Sequence, residues 1–359
     1  MQTNKAQRAG KSVRSMLWSF ATTLTAIAIA APGCGLARNR DLLSNPLLQS
    51  GPDPWIVQHA GYYYFTATLG NRIALRKTRD LGRLADAPVT VVWRAPANGP
   101  GSASVWAPEL HYLDGKWYIY YAAADKAHDD DAHRRIYVLE DASADPTQGH
   151  WVSRGALNIA RPGIDPTVFQ LNGKLYFVYS AYVGDHSDLV IAPMTNPWTL
   201  GSPQVDIAHP TYAWEMHGGR KIMEGPAFLE GPTGKLFITY SASACWSDHY
   251  ALGMLNAAAG TNPLDAASWH KSPRPVFASD PANGVYAPGG NGFFKSPDGR
   301  QTWIVYHANN GPGWGCGPRR SPRVQIVHWR ANGTPDFGVP VKTGVPLPAP
   351  SDVVPRSQR

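Results

Sequence analysis

Three acidic residues stand out by type and setting. Asp53 lies in GPDPW, Asp165 in GIDPT and Glu224 in MEGPAF, each at the head of a short apolar run. Any one of them alone reads as a turn, because Asp-Pro and an acid before Gly-Pro are common where a chain bends. All three in one local setting ask for a fold that brings them together. Carboxylates gathered in one pocket repel one another and favour keeping a proton. That conflict is useful: one acid that stays protonated near neutral pH, beside a carboxylate that stays ionised, is the pair needed to cleave a glycosidic bond.

The elements that must position these acids are legible as a repeat. A Gly-containing turn followed by an aromatic strand ending in small residues recurs five times: HAGYYYFTA at 59–67, LDGKWYIYYAA at 113–123, LNGKLYFVYSA at 171–181, PTGKLFITYSA at 232–242 and SPDGRQTWIVYHA at 296–308. Each is preceded by a second short run, so a β-hairpin recurs. Asp53, Ala107, Asp165, Glu224 and Gly290 align, at separations of 54, 58, 59 and 66 residues. A repeat of that length holds about four strands with their loops, which is one propeller blade. The expectation is an all-β, five-bladed propeller of four-stranded blades. The first strand of each blade lines a central channel, so the aligned residues meet at one mouth. A β-sandwich gives no reason to repeat five times, and a parallel β-helix needs much shorter coils. The propeller is expected over residues 45–340, with a linker at 35–44 and a proline-rich C-terminal tail at 341–359.

Composition agrees with this reading. The 359 residues include 35 Gly, 32 Pro, 13 Trp and 16 Tyr, and only 16% are charged. Such a chain is rich in turns and aromatics, and indole or phenol faces suit the C–H faces of sugars. The N-terminus is basic and free of acid through residue 16, then apolar over 17–31, and runs into APGC at Cys34. A signal peptide over 1–34 is expected, with lipidation of Cys34 as one processing option and plain cleavage as the other. The chain would then be exported, to a periplasmic, extracellular or lipid-anchored location. Without the leader, 29 basic residues face 26 acidic ones, a net charge near +3. That is too mild for a nucleic-acid partner. Export also permits a disulfide between Cys245 and Cys316, with two free thiols as the alternative. The acidic run DKAHDDDAHRR at 125–135 lacks metal-ligand spacing and reads as a solvated hairpin loop.

GPDPWIVQHAGYYYF, VWAPELHYLDGKWYIYYAA, GIDPTVFQLNGKLYFVYS and IMEGPAFLEGPTGKLFITYSAS, in that order at blade spacing, resemble glycoside hydrolase family 43 over about residues 45–340. The resemblance implies an inverting hydrolase with Asp53 as general base, Glu224 as general acid and Asp165 modulating and orienting the acid. It implies an arginine reaching the pocket from RRSPRVQIVHW, with Arg323 the first choice and Arg320 the second. His307 matches a histidine that in several members lies near an axial ion, often calcium; no cofactor is otherwise required. Trp106, Trp55 and Trp246 are candidate sugar platforms, and Glu109 reads as structural. Where the family often carries a histidine before Asn291, this chain has Gly290, which leaves nearby contacts open. The expected partner is plant cell-wall polysaccharide, with α-L-arabinofuranosyl residues of arabinan or arabinoxylan as substrate. A β-xylosidase, an endo-arabinanase and a non-catalytic carbohydrate-binding propeller are the alternatives.

Overall fold

The computed structural model of the chain describes residues 42–351. The expected leader, Cys34 and the last eight residues of the tail lie outside the described residues. Five antiparallel sheets follow one another along the sequence, each built from successive strands. Blade 1 comprises Trp55–His59, Tyr62–Thr66, Arg72–Thr78 and Val89–Arg94. Blade 2 comprises Ala103–Leu113, Lys116–Ala124, Arg135–Asp141 and Val152–Ala156. Blade 3 comprises Gly163–Leu171, Lys174–Val183, His186–Asn196 and Thr199–Leu200, and a short fifth strand, Val205–Ala208, pairs with its third. Blade 4 comprises Met223–Glu230, Leu236–Ala242, Ala251–Ala257 and His270–Lys271. Blade 5 comprises Tyr286–Lys295, Thr302–Asn309, Ser321–Trp329 and Pro335–Asp336. The five repeated phrases are the second strands and the turns that lead into them. The fold is the expected five-bladed propeller.

The core lies between blades. The buried apolar side chains form five clusters, one at each junction. Blades 1 and 2 meet through Ile73, Leu75, Leu110 and Trp117. Blades 5 and 1 meet through Trp303, Val305, Ile56 and Phe65. A second strand therefore buries both faces, which is why Lys116–Ala124 reads as an almost unbroken apolar run rather than an alternating one. Each fully buried side chain of this size contributes about 1.5–3 kcal/mol of transfer free energy.

The segments flanking the five blades help close the ring. Leu42–Ser44 pairs with Pro346–Pro348, and Leu43 and Leu347 are buried in the cluster between blades 5 and 1. Asn45 donates to Val324 O at 2.8 Å and accepts from Val324 N at 2.9 Å. The packed domain thus reaches beyond 45–340 on both sides. The end of the expected linker and the start of the expected tail form one small sheet.

The innermost strands aim residues at the axis through a shared irregularity. Asp53, Ala107, Asp165, Gly225 and Gly290 have φ of 51°, 43°, 54°, 57° and 52°. In blades 2 to 5 the strand pairing slips by a residue across this position. A left-handed residue beside a slipped register is a β-bulge, a device that turns a side chain away from the regular pleat. The alignment read from sequence needs one correction here. In blade 4 the residue in register is Gly225, and Glu224 stands one position ahead of it.

Candidate active site

A cavity of about 620 Å³ opens at one end of the axis, and Asp53, Asp165 and Glu224 all line it. Asp53, just ahead of the first strand of blade 1, has both carboxylate oxygens engaged. Arg320 donates to Oδ1 at 3.0 Å, and the Thr68 hydroxyl donates to Oδ2 at 2.7 Å. Thr68 is itself oriented by Ala107 N–H, at 2.7 Å, from the bulge of blade 2. Burial alone would raise the Asp53 carboxyl, but Arg320 and the Thr68 hydroxyl outweigh it and hold it below the usual carboxylate range.

Glu224 is placed in the opposite sense. Burial pushes its carboxyl up to about 7, with the charge of Asp53 adding to the rise and Tyr250 and Arg320 working against it. Asp165 accepts Gly225 N–H at 2.9 Å, so the bulge of blade 4 holds the acid of blade 3. Burial and then repulsion by Glu224 and Asp53 carry Asp165 well above its ordinary value. Asp165 and Glu224 therefore titrate as a pair that retains a proton near neutral pH. The site holds one firmly ionised carboxylate and one protonated acidic pair.

The other expected site residues fall into three groups. Trp106 lies on the cavity wall under the Arg134 guanidinium, 4.0 Å from its ring centroid. Trp246 is 51% exposed at the mouth and donates to Gly218 O at 2.9 Å, leaving an indole face open to a ligand. Trp55 lines the floor but is tied down. Its Nε1 donates to Leu110 O of blade 2 at 2.8 Å, and a Cβ on Gly292 of blade 5 would come within 2.6 Å of its ring. It thus packs against both neighbouring blades, 5 and 2, while still lining the cavity.

The arginine assignment is corrected. Arg320, just ahead of the third strand of blade 5, reaches Asp53. Arg323 lies three residues farther along, inside that strand, and is fully buried against Asn310 and Thr343. The third strand starts at the mouth, so a residue before it meets the cavity and a residue within it meets the interior. His307 is fully buried and accepts the Asp53 N–H through Nδ1 at 3.1 Å. Burial, followed by the charge of Arg320, lowers its pKa to about 3, so the ring is neutral. Its other nitrogen faces the Arg320 guanidinium at 3.5 Å. With one nitrogen engaged and a cation against the other, these residues do not fit a metal ion held by His307. Among the described residues no group of three or more His, Cys, Asp or Glu is arranged as a metal site. Cys245 and Cys316 form a disulfide, with Cα atoms 5.1 Å apart, that joins the loops of blades 4 and 5 on the cavity rim.

Several lining residues were not assigned to the site from sequence. Tyr250 donates to Glu224 Oε1 at 2.8 Å. Glu109, read as structural, lines the cavity, bonded to His111 at 3.0 Å, and burial raises its carboxyl well above its ordinary value. It follows Ala107 by two residues, and the period of a strand puts it on the same face, a signal that was available. Asp131, in the acidic run read as solvated, pairs with Arg220, on the connection from blade 3 to blade 4, at 3.0 Å, and both line the cavity. Nothing in the sequence links those two.

Comparison with known proteins agrees with this geometry. Residues 43–335 match the family described as Glycosyl hydrolases family 43. The chain is 43% identical to the extracellular exo-alpha-(1->5)-L-arabinofuranosidase of Streptomyces avermitilis, over 84% of this chain and 64% of that protein. It is 42% identical to alpha-L-arabinofuranosidase 43 of Humicola insolens, over 92% of this chain and 70% of the relative. The chain thus spans about two thirds of the length of these two relatives. The crystal structure of alpha-L-arabinofuranosidase from Lactobacillus brevis superposes with a TM-score of 0.79 at 38% identity, covering 84% of this chain and 98% of that one. With a five-bladed propeller, three acids at its mouth and a match across nearly all of the described residues, the chain belongs to glycosyl hydrolase family 43.

Proposed function

We propose that the chain is an exported, inverting, exo-acting glycosidase that removes α-L-arabinofuranosyl residues from arabinan or arabinoxylan. The observation that carries this reading is the split between Asp53, held ionised by Arg320, and Glu224, raised to about 7, in one cavity. Asp53 takes a proton from a water, whose oxygen forms the new bond to the anomeric carbon. Glu224 gives its proton to the departing glycosidic oxygen as that C–O bond breaks. Attack and departure lie on opposite faces of the sugar, so the configuration inverts, and inverting pairs stand roughly 6.5–9.5 Å apart to admit the water. Asp165, beside the acid, keeps a proton in the pair by repulsion.

Substrate and mode rest on the three relatives named above, all of which carry arabinofuranosidase names and one of them the prefix exo. The rim also supports end-on entry. Gly70 and Val105 join blades 1 and 2, Asp131 and Arg220 join blade 2 to the connection from blade 3 to blade 4, and Cys245–Cys316 joins blades 4 and 5. A tied rim suits a chain end better than a chain running through. Export is supported by the disulfide and by the extracellular relative. The test is hydrolysis of p-nitrophenyl α-L-arabinofuranoside and β-D-xyloside, with NMR detection of the first sugar anomer released. Arabinose should appear first as the β-anomer, and the xyloside should be the poorer substrate. A first-formed α-anomer, or a preference for xyloside, would overturn the proposal.

A further inference from the structure

One oxygen of Glu224 is already occupied, and the group on it is held by an ordered set of donors. Gly290 N–H donates to Ser241 Oγ at 2.8 Å. Ser241 in turn acts on the Tyr250 hydroxyl, and Tyr250 donates to Glu224 Oε1 at 2.8 Å. Ser241 ends the second strand of blade 4, Tyr250 precedes the third, and Gly290 belongs to blade 5. Tyr250 is 3% exposed, and its ring lies parallel to that of His307, 5° between planes with centroids 6.0 Å apart. The chain makes room for it: a Cβ on Gly289 would sit 2.1 Å from Tyr250 Cε1 and 2.9 Å from Ser241 Oγ. Contacts that close are not tolerated in a packed interior, so glycine at 289 and the tyrosine are a matched pair.

We propose that Tyr250 is a positioning residue for the acid, fixing Glu224 through Oε1 so that the transferable proton resides on Oε2. The proposal rests on the reading of Glu224 as general acid. The carbonyl-type oxygen of a protonated carboxyl is the better acceptor, so a donor fixed on Oε1 favours the proton on Oε2. The Tyr250 hydroxyl spends its one proton on Glu224. In the reaction the Oε2–H bond breaks, its electron pair stays on Oε2, and the proton forms the new O–H bond on the leaving group. The tyrosine proton does not move. Burial raises Tyr250 well above its ordinary pKa, so it stays a donor across the working range. The charged groups facing this unit are Asp53, Asp165, Arg220 and Arg320.

Tyr250→Phe and Ser241→Ala separate this from a packing role. A donor to a carboxylate favours its ionised form, so losing the donor should move the alkaline limb of the kcat/KM profile to higher pH. On an unactivated arabinobioside, Tyr250→Phe should lower kcat on the order of tenfold or more with KM little changed. On a 2,4-dinitrophenyl arabinofuranoside, which leaves without a proton, the loss should be about threefold or less. Ser241→Ala should show the same pattern more weakly, and it carries the test if Tyr250→Phe does not fold. Equal losses on both substrates with an unmoved alkaline limb would overturn the proposal. Glu224→Ala, run alongside, keeps the two claims apart. If it shows the leaving-group dependence and Tyr250→Phe does not, the positioning role alone fails.

Discussion

At the residue scale, the site works by giving similar carboxyl groups different surroundings. Asp53 and Glu224 are both part-buried, yet one is held down and the other pushed up. The difference lies in the partners. Asp53 has a guanidinium at 3.0 Å and a hydroxyl at 2.7 Å, whereas the hydrogen bond that Glu224 makes comes from a neutral phenol. Arg320 is therefore the residue on which the base depends. Arg320→Ala leaves Asp53 part-buried with one donor fewer and without the Arg320 cation, so its pKa should rise. Activity needs Asp53 ionised, so the acid limb of the pH profile should move upward. At the pH optimum kcat/KM should fall roughly ten- to a hundredfold, the worth of a hydrogen bond to a charged group. Steady-state kinetics from pH 3 to pH 8 check this. Arg323→Ala, which touches neither acid, should leave the acid limb in place.

At the element scale, five inner strands do the positioning, four of them through a bulge, and closure of the ring keeps them in register. Asn45 is a closure residue, since its side chain makes both a donor and an acceptor bond to Val324 across the junction of the first and last blades. Asn45→Ala leaves a buried N–H and a buried carbonyl unpaired and should cost about 2–4 kcal/mol, seen as a lower midpoint in urea without a change in slope. The blades were legible in the sequence because the turn and the aromatic strand recur together. Asp53 and Asp165 were legible because both sit in the register of the repeat. The one-residue offset of Glu224 was not, because a left-handed φ leaves no mark that separates Glu-Gly from Asp-Pro. Arg320 and Arg323 share one basic run, and only the point where the strand begins decides which meets the cavity. Tyr250 lies in a loop outside the repeat, and its role depends on clearance at Gly289 in another blade.

At the scale of the whole molecule, a ring of five sheets turns sequence separation into proximity. Each junction has its own apolar cluster, so the ring is supported all round and the mouth is a shared surface of every blade. The Cys245–Cys316 bond ties that mouth across one junction and closes a loop with a sequence separation of 71. Replacing both cysteines by serine should lower stability by about 2–4 kcal/mol, and should weaken activity by loosening the loops that carry Trp246 and Arg320; thermal unfolding and kinetics of the double variant test both. The account's central claim is that blades 1 and 4 deliver a base and an acid to one glycosidic bond. Leaving-group dependence in Glu224→Ala and Asp53→Ala tests it most directly. Glu224→Ala should nearly abolish cleavage of an unactivated arabinoside while retaining much of the rate on the dinitrophenyl arabinofuranoside, which needs no proton to depart. Asp53→Ala should depress both substrates alike, because water must be activated whatever leaves. The same leaving-group dependence in the two variants would contradict the assignment of acid and base.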